Sequence, residues 1–211
     1  LYLNKICNIL NNLGININTV PVLDKHYKIT NKFLSDRIYS SKIKTIKDLG
    51  NRCIKIYGKN KIATVIKHIP GHGLSKVDSH KKLPIVNKDL HYLKKNNFFC
   101  FKNSNSKFAM TAHILYKKID KYSCATQSKL IINKIIRKEL NFKGILISDD
   151  ISMKSLKFGL VENGIRSLNA GCNLALYCGG KYMESLKLLE RLPKIDKFMK
   201  KKTSEFYKFL G

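Results

Sequence analysis

A chain of 211 residues has the length for one sizeable domain and too little for several. Its formal charge of +27 invites a polyanion partner, yet only five of its 41 basic residues are arginine and the lysines are spread evenly, which speaks for solvated lysine faces rather than a nucleic-acid-reading surface. Six scattered cysteines with no C-x-x-C pair argue against a zinc framework and for free thiols in a reducing compartment, and no apolar run nears the roughly 18 residues of a membrane span.

Leu1 already stands inside an amphipathic pattern, so an N-terminally incomplete chain is expected. Leu3, Ile6, Cys7, Leu10 and Leu13 have helical spacing, and the stretch 15–22 reads as a strand closing on Pro21-Val22-Leu23-Asp24. A polar loop with Ser35-Asp36-Arg37 leads to a second helix through Ile43, Ile46, Leu49, Cys53, Ile54 and Tyr57. The β-branched run 62–66 then predicts a buried strand ending in the loop 67–80 (Lys-His-Ile-Pro-Gly-His-Gly-Leu-Ser-Lys-Val-Asp-Ser-His). Further on come a short helix at 90–95 and strands at 107–113, 145–147 and 173–177. Between them lie a helix capped by Ser128 and another over 161–168, and the helical patterns 183–192 and 195–210 finish the chain.

Short, largely apolar strands alternating with helices predict an α/β fold with a parallel sheet. Its polar residues recur at the C-terminal strand ends (Asp24, Lys67, His68, His113, Asp149), the face that carries chemistry in such folds. There is no G-x-G-x-x-G or P-loop. A (β/α)8 barrel is therefore favoured, with about the last five βα units present in a catalytic domain over 1–193, followed by a C-terminal helix over 194–211. Five strands leave two sheet edges and a bare core face, so poor solubility is expected.

The loop admits several readings. His68, His72, Asp78 and His80 could ligate a metal, but Pro70-Gly71 forbids the helix that would align the first two, and no metal or cofactor is expected. Asp78 and His80, two apart in an extended segment, project to one side, so the carboxylate can orient the imidazole as a proton shuttle; a surface pair without function is the alternative. Gly71 and Gly73 would let the loop move. Asp149 and Asp150 could supply a nucleophile or cap the segment that follows.

Taken together, these blocks resemble the bacterial β-N-acetylhexosaminidases of glycoside hydrolase family 3. The loop carries the signature, and Pro21-Val22-Leu23-Asp24, Met110-Thr111-Ala112-His113 and Ser148-Asp149-Asp150 agree in order and spacing, as does Asp36-Arg37 more loosely. The resemblance implies a retaining enzyme that releases terminal N-acetyl-β-glucosamine from muropeptides in cytoplasmic cell-wall recycling, working as a monomer without membrane or nucleic-acid partners. It implies Asp149 as nucleophile, His80 as acid/base oriented by Asp78, and Arg37, Lys67 and His68 as sugar-binding residues. It also implies an upstream Asp-Gln-Glu-Gly-Gly-Arg segment that these residues do not contain. A phosphorylase of the same family, an inactive fragment and a basic binding module are the competing readings. His72 is left without a role.

Overall fold

The computed structural model describes residues 1–211. Its centre is a parallel sheet of four strands, β1 (Ile17–Asn18), β2 (Ala63–Ile69), β4 (Phe108–Thr111) and β6 (Ile145–Ile147), paired in that order. A separate parallel ladder of β3 (Ile85–Val86) with β5 (Leu115–Tyr116) stands beside it, too short to have left a periodic signal in the sequence. The α/β class and parallel pairing expected from the strand composition are present.

Two expected strands are only partly realised. The stretch 15–22 pairs at Ile17–Asn18 and again as a bridge from Val22 to Lys67; Pro21, between them, has no N–H for the ladder. The stretch 173–177 meets β6 through one bridge, Leu174 to Ile147. Beyond it the Leu176 N–H is taken by Ser148 Oγ, which ends the pairing.

Strand alternation sorts the core into two faces. Ile66, Ala109 and Leu146 point outward and pack on Ile46 of α3 (Ile43–Lys59), Leu93 of α4 (Leu90–Asn96) and Ile132 and Ile136 of a helical segment. That segment begins as expected, with Ser128 Oγ accepting the Ile131 N–H at 3.2 Å, but over Ile131–Glu139 it winds as a π-helix. Its Arg137 bonds the carbonyls of Phe142 and Gly144 and the side chain of Asn173, tying the helix end to the start of β6. On the outside, α1 (Tyr2–Asn12) lays Cys7 against Cys53, Tyr57 and Ile62. Helix α2 (Lys32–Ser35) is a single turn, and α5 (Leu160–Ala170) and α6 (Tyr182–Arg191) follow β6.

The opposite, inner face presents Ala63, Val65, Phe108, Met110 and Ile145. Against it lie Met199, Phe206 and Phe209 of α7 (Lys197–Leu210). The face expected to be bare is thus covered, because the apolar side of the last helix folds back across it. Lys67 and Asp149 continue the same alternation toward the C-terminal edge, which is where the site lies.

Candidate active site

β2 delivers two functional residues through an irregularity. Lys67 pairs with Met110 and Ile69 with Thr111, so His68 is an extra residue inside a bulge. Released from the ladder, His68 reaches Asp24, at the end of the strand that precedes it in the chain. Asp24 is completely buried and accepts three bonds: the His68 N–H (3.1 Å), His68 Nδ1 (2.8 Å) and the His72 N–H (2.5 Å). Burial alone would raise its pKa, but these donors and the adjacent imidazoles hold it below 3.8. Asp24 therefore organises the root of the loop as an anion, and it orients His68 with Nε2 left for other partners.

The loop's glycines do a different job from the one expected. A Cβ on Gly73 would stand 1.8 Å from the Lys25 carbonyl oxygen, and one on Gly71 would stand 2.6 Å from the Asn97 amide nitrogen. Gly71 O also accepts bonds from Asn97 Nδ2 and the Tyr116 hydroxyl, while Thr30 Oγ1 donates to Gly73 O. Residues 71–75 are buried. These glycines permit close approach, and packing and hydrogen bonds anchor the root of the loop. Only beyond Ser75 does the chain come to the surface.

There the expected dyad is formed. His80 Nδ1 lies 2.8 Å from Asp78 Oδ1, which also accepts the His80 backbone N–H at 2.9 Å. Burial pushes Asp78 up, but the two bonds from His80 together outweigh it and hold the carboxyl below its ordinary pKa. The His80 side chain is 63% exposed, and no hydrogen bond or ion pair joins it to Asp149. Its ring sits edge-on to Phe33 at 5.8 Å; Phe33 in turn meets His72 at 5.7 Å and carries the Arg37 guanidinium over its face at 5.7 Å.

At the end of β6 the two aspartates stand in different surroundings. Asp150 is the capping residue: it accepts the Ser152 N–H, the Ser152 hydroxyl and the Cys178 N–H. The Asp149 carboxylate accepts only the N–H of Asp150 and continues the inner-face alternation of Ile145 and Ile147. Burial pushes Asp149 up, but the neighbouring His68 and the Asp150 N–H outweigh it, so its pKa lies below 3.8 and Asp149 is ionised at neutral pH. Lys67 lies near enough to Asp149 and Asp24 to be stabilised by both, although burial and Arg37 lower its pKa overall.

A buried relay fixes the backbone around Asp149. The Asp149 N–H donates to Thr111 Oγ1, which contacts Thr126 Oγ1 at 2.8 Å; Thr126 meets His113 Nδ1 at 2.7 Å, and His113 Nε2 lies 3.0 Å from the Asp150 carbonyl. One tautomer satisfies the whole chain: Nε2–H donates to Asp150 O, and Nδ1 accepts from Thr126. Burial keeps His113 in that neutral form.

The structure thus gathers Asp149, Lys67 and His68 at the strand ends, with the Arg37 charge felt at Lys67, and places Asp78–His80 on the surface of the loop above. Two roles were legible only as position: Asp24 and His113 stand at strand ends, but nothing in the sequence marked them as hub and relay. Phe33 left no signal, since a lone aromatic in a polar loop is unremarked by periodicity.

A parallel α/β sheet with a cation, an ionised carboxylate and an oriented histidine at its C-terminal edge, under a loop bearing a carboxylate–imidazole pair, has the layout of an acid–base enzyme site. Residues 5–204 match the profile described as the glycosyl hydrolase family 3 N terminal domain, and the chain belongs to that family. It is 32% identical over 192 residues to the beta-hexosaminidase of Haemophilus influenzae, a match covering 86% of this chain and 54% of the relative. Among solved structures, the family 3 beta-N-acetylglucosaminidase of Paenibacillus sp. superposes with a TM-score of 0.89 at 24% identity, covering 98% of this chain and 42% of that one. The beta-N-acetylglucosaminidase of Thermotoga maritima gives 0.77 at 28% identity, covering 99% and 46%. The chain spans about half the length of the curated relatives it matches.

Proposed function

We propose that these residues form part of a (β/α)8 glycoside hydrolase that releases terminal β-linked N-acetylglucosamine with retention of configuration, the muropeptides of cytoplasmic cell-wall recycling being the substrate class the resemblance favours. The observation that carries this reading is the pairing of His80 with Asp78 at 2.8 Å on the loop above an Asp149 whose carboxylate takes only the Asp150 N–H. Cleaving an acetal requires a proton on the leaving oxygen and negative charge beneath the anomeric carbon. Asp149 supplies the charge and then the bond to that carbon. His80, oriented through Nδ1 by Asp78, gives its proton from Nε2 to the leaving oxygen and, in the second half, takes one from water. Lys67, His68 and Arg37 hold the sugar hydroxyls. An open groove of about 680 Å³ lined in part by Phe33, Asp36, Asp78 and Lys82 borders the dyad and offers room for the leaving group.

The test is release of a chromogenic aglycone from an N-acetyl-β-glucosaminide. Asp149→Ala is expected to abolish turnover. His80→Ala is expected to cost about 10²–10⁴-fold on a poor leaving group and little on an activated one. Equal losses on both would remove His80 from the acid role, and sugar 1-phosphate formed only when phosphate is added would make the enzyme a phosphorylase.

A further inference from the structure

His72 is the loop histidine that the proposed mechanism does not use, and its surroundings are specific. It is 1% exposed, its backbone N–H is held by Asp24, and its ring meets His68 at 5.4 Å and Phe33 at 5.7 Å, edge-on to both. Nε2 lies 3.2 Å from Ser79 Oγ; Nδ1 is buried with no partner. Burial, reinforced by the charge of His68, lowers its pKa from 6.5 to about 4, so the ring is neutral at physiological pH and carries a single N–H. Placed on Nε2, that hydrogen donates to Ser79 and leaves only a bare acceptor at Nδ1. The other tautomer would bury an unpaired donor.

Ser79 is a buried residue set between the part-exposed Asp78 and the exposed His80. Every other hydrogen bond of residues 78–82 closes within that stretch: the Lys81 and Lys82 N–H groups on Asp78 O, and the His80 N–H and ring on Asp78 Oδ1. The His72–Ser79 bond is the one that leaves it. It runs to the part of the loop already fixed by Asp24, Tyr116 and the close approach of Gly73 to Lys25.

We propose that His72 is a positioning residue for the acid/base: its bond to Ser79, together with the Phe33 ring set between His72 and His80, latches residues 78–82 onto the fixed root of the loop and sets where the His80 imidazole stands. The latch is defined by contacts alone; its kinetic consequence rests on the reading of His80 as the acid/base.

Amide hydrogen exchange on the full chain decides the latch. Ser79→Ala and His72→Leu are each expected to speed exchange at residues 78–82 by about five- to tenfold, the loss of one hydrogen bond, and to leave 71–75 unchanged. The double variant should be no faster than either single. His72→Gln, which returns a donor close to the Nε2 position, should restore most of the protection. In kinetics, Ser79→Ala should lower kcat on a poor leaving group while leaving KM and the rate on an activated leaving group nearly unchanged. Unaltered exchange at 78–82 in Ser79→Ala would overturn the latch, and so would faster exchange spread equally over 71–75. A wild-type chain that cleaves neither substrate would favour the inactive-fragment reading of these residues, with the exchange result still deciding the latch.

Discussion

At the residue scale, the site depends on which titratable groups are kept in which state. Asp24 and Asp149 have folded pKa values below 3.8, so their contribution to stability is present above that value and is lost as pH falls through the lower folded values. His72 acts in a higher window. Its folded pKa of about 4 lies below the ordinary 6.5, so the unfolded chain takes up a proton first as the solution is acidified. Stability from this group is complete above 6.5 and declines until about 4, by about 2 kcal/mol between roughly pH 7 and pH 5. His113, also held neutral by burial, adds to the same slope. Denaturant titrations at the two pH values should show that loss in the wild type and a smaller one in His72→Gln. An unchanged pH slope in the variant would mean that His72 is not held neutral by its burial.

At the scale of elements, the loop after β2 shows how an anchored segment can carry an exposed carboxylate–imidazole pair. Its first half is a packed insert and its second half is a tip. Gly73→Ala tests that division, because the new Cβ would meet the Lys25 carbonyl at 1.8 Å and backbone must shift to admit it. The expected outcome is a loss of about 2–4 kcal/mol of stability, with turnover reduced because His68 and His72 move from Asp24. Wild-type stability in Gly73→Ala, read from a thermal melt, would contradict the fixed root. The sequence carried the elements whose energetics are periodic: the apolar runs of β2, β4 and β6 and the Ile-rich segment after Ser128. It did not carry the short β3–β5 ladder, the partial pairing of 15–22, or the π-helical winding of 131–139, since each depends on tertiary partners rather than local pattern. In the candidate site, the placement of Lys67, His68, Asp78, His80 and Asp149 was legible through their spacing and strand-end positions. Their supports, Asp24 beneath the histidines and Phe33 between them, come from remote segments of chain and are visible only once folded.

At the scale of the whole molecule, the inner sheet face has one function at each end. The C-terminal edge carries Lys67 and Asp149, and the remainder is apolar and has to be shielded from water. Helix α7 shields it: Met199 is 6% exposed among Ala63, Val65, Phe108, Met110 and Ile145, and Phe206 packs edge-on against Phe108 at 5.4 Å. Lys61 Nζ adds a bond to the Phe209 carbonyl, and Lys107 lies over the Phe209 ring, so basic side chains border the helix without entering its apolar contact. With a net charge of +27, self-repulsion opposes compaction, and the apolar cover of this face works against it. Phe206 is only partly buried, so Phe206→Ala is expected to cost about 1–3 kcal/mol, less than the full core value. For a chain of this length that corresponds to a fall of roughly 3–10 °C in Tm. Because the uncovered patch is contiguous with β2, β4 and β6, the same variant should bind a hydrophobic dye and self-associate near its melting temperature. Phe198→Ala, on the same helix but outside that cluster and 38% exposed, is the control and should melt within a few degrees of wild type. Equal shifts in the two variants would show that α7 contributes helix content alone; a shift confined to Phe206→Ala would show that the helix stabilises the molecule by closing the inner face of the sheet that carries the site.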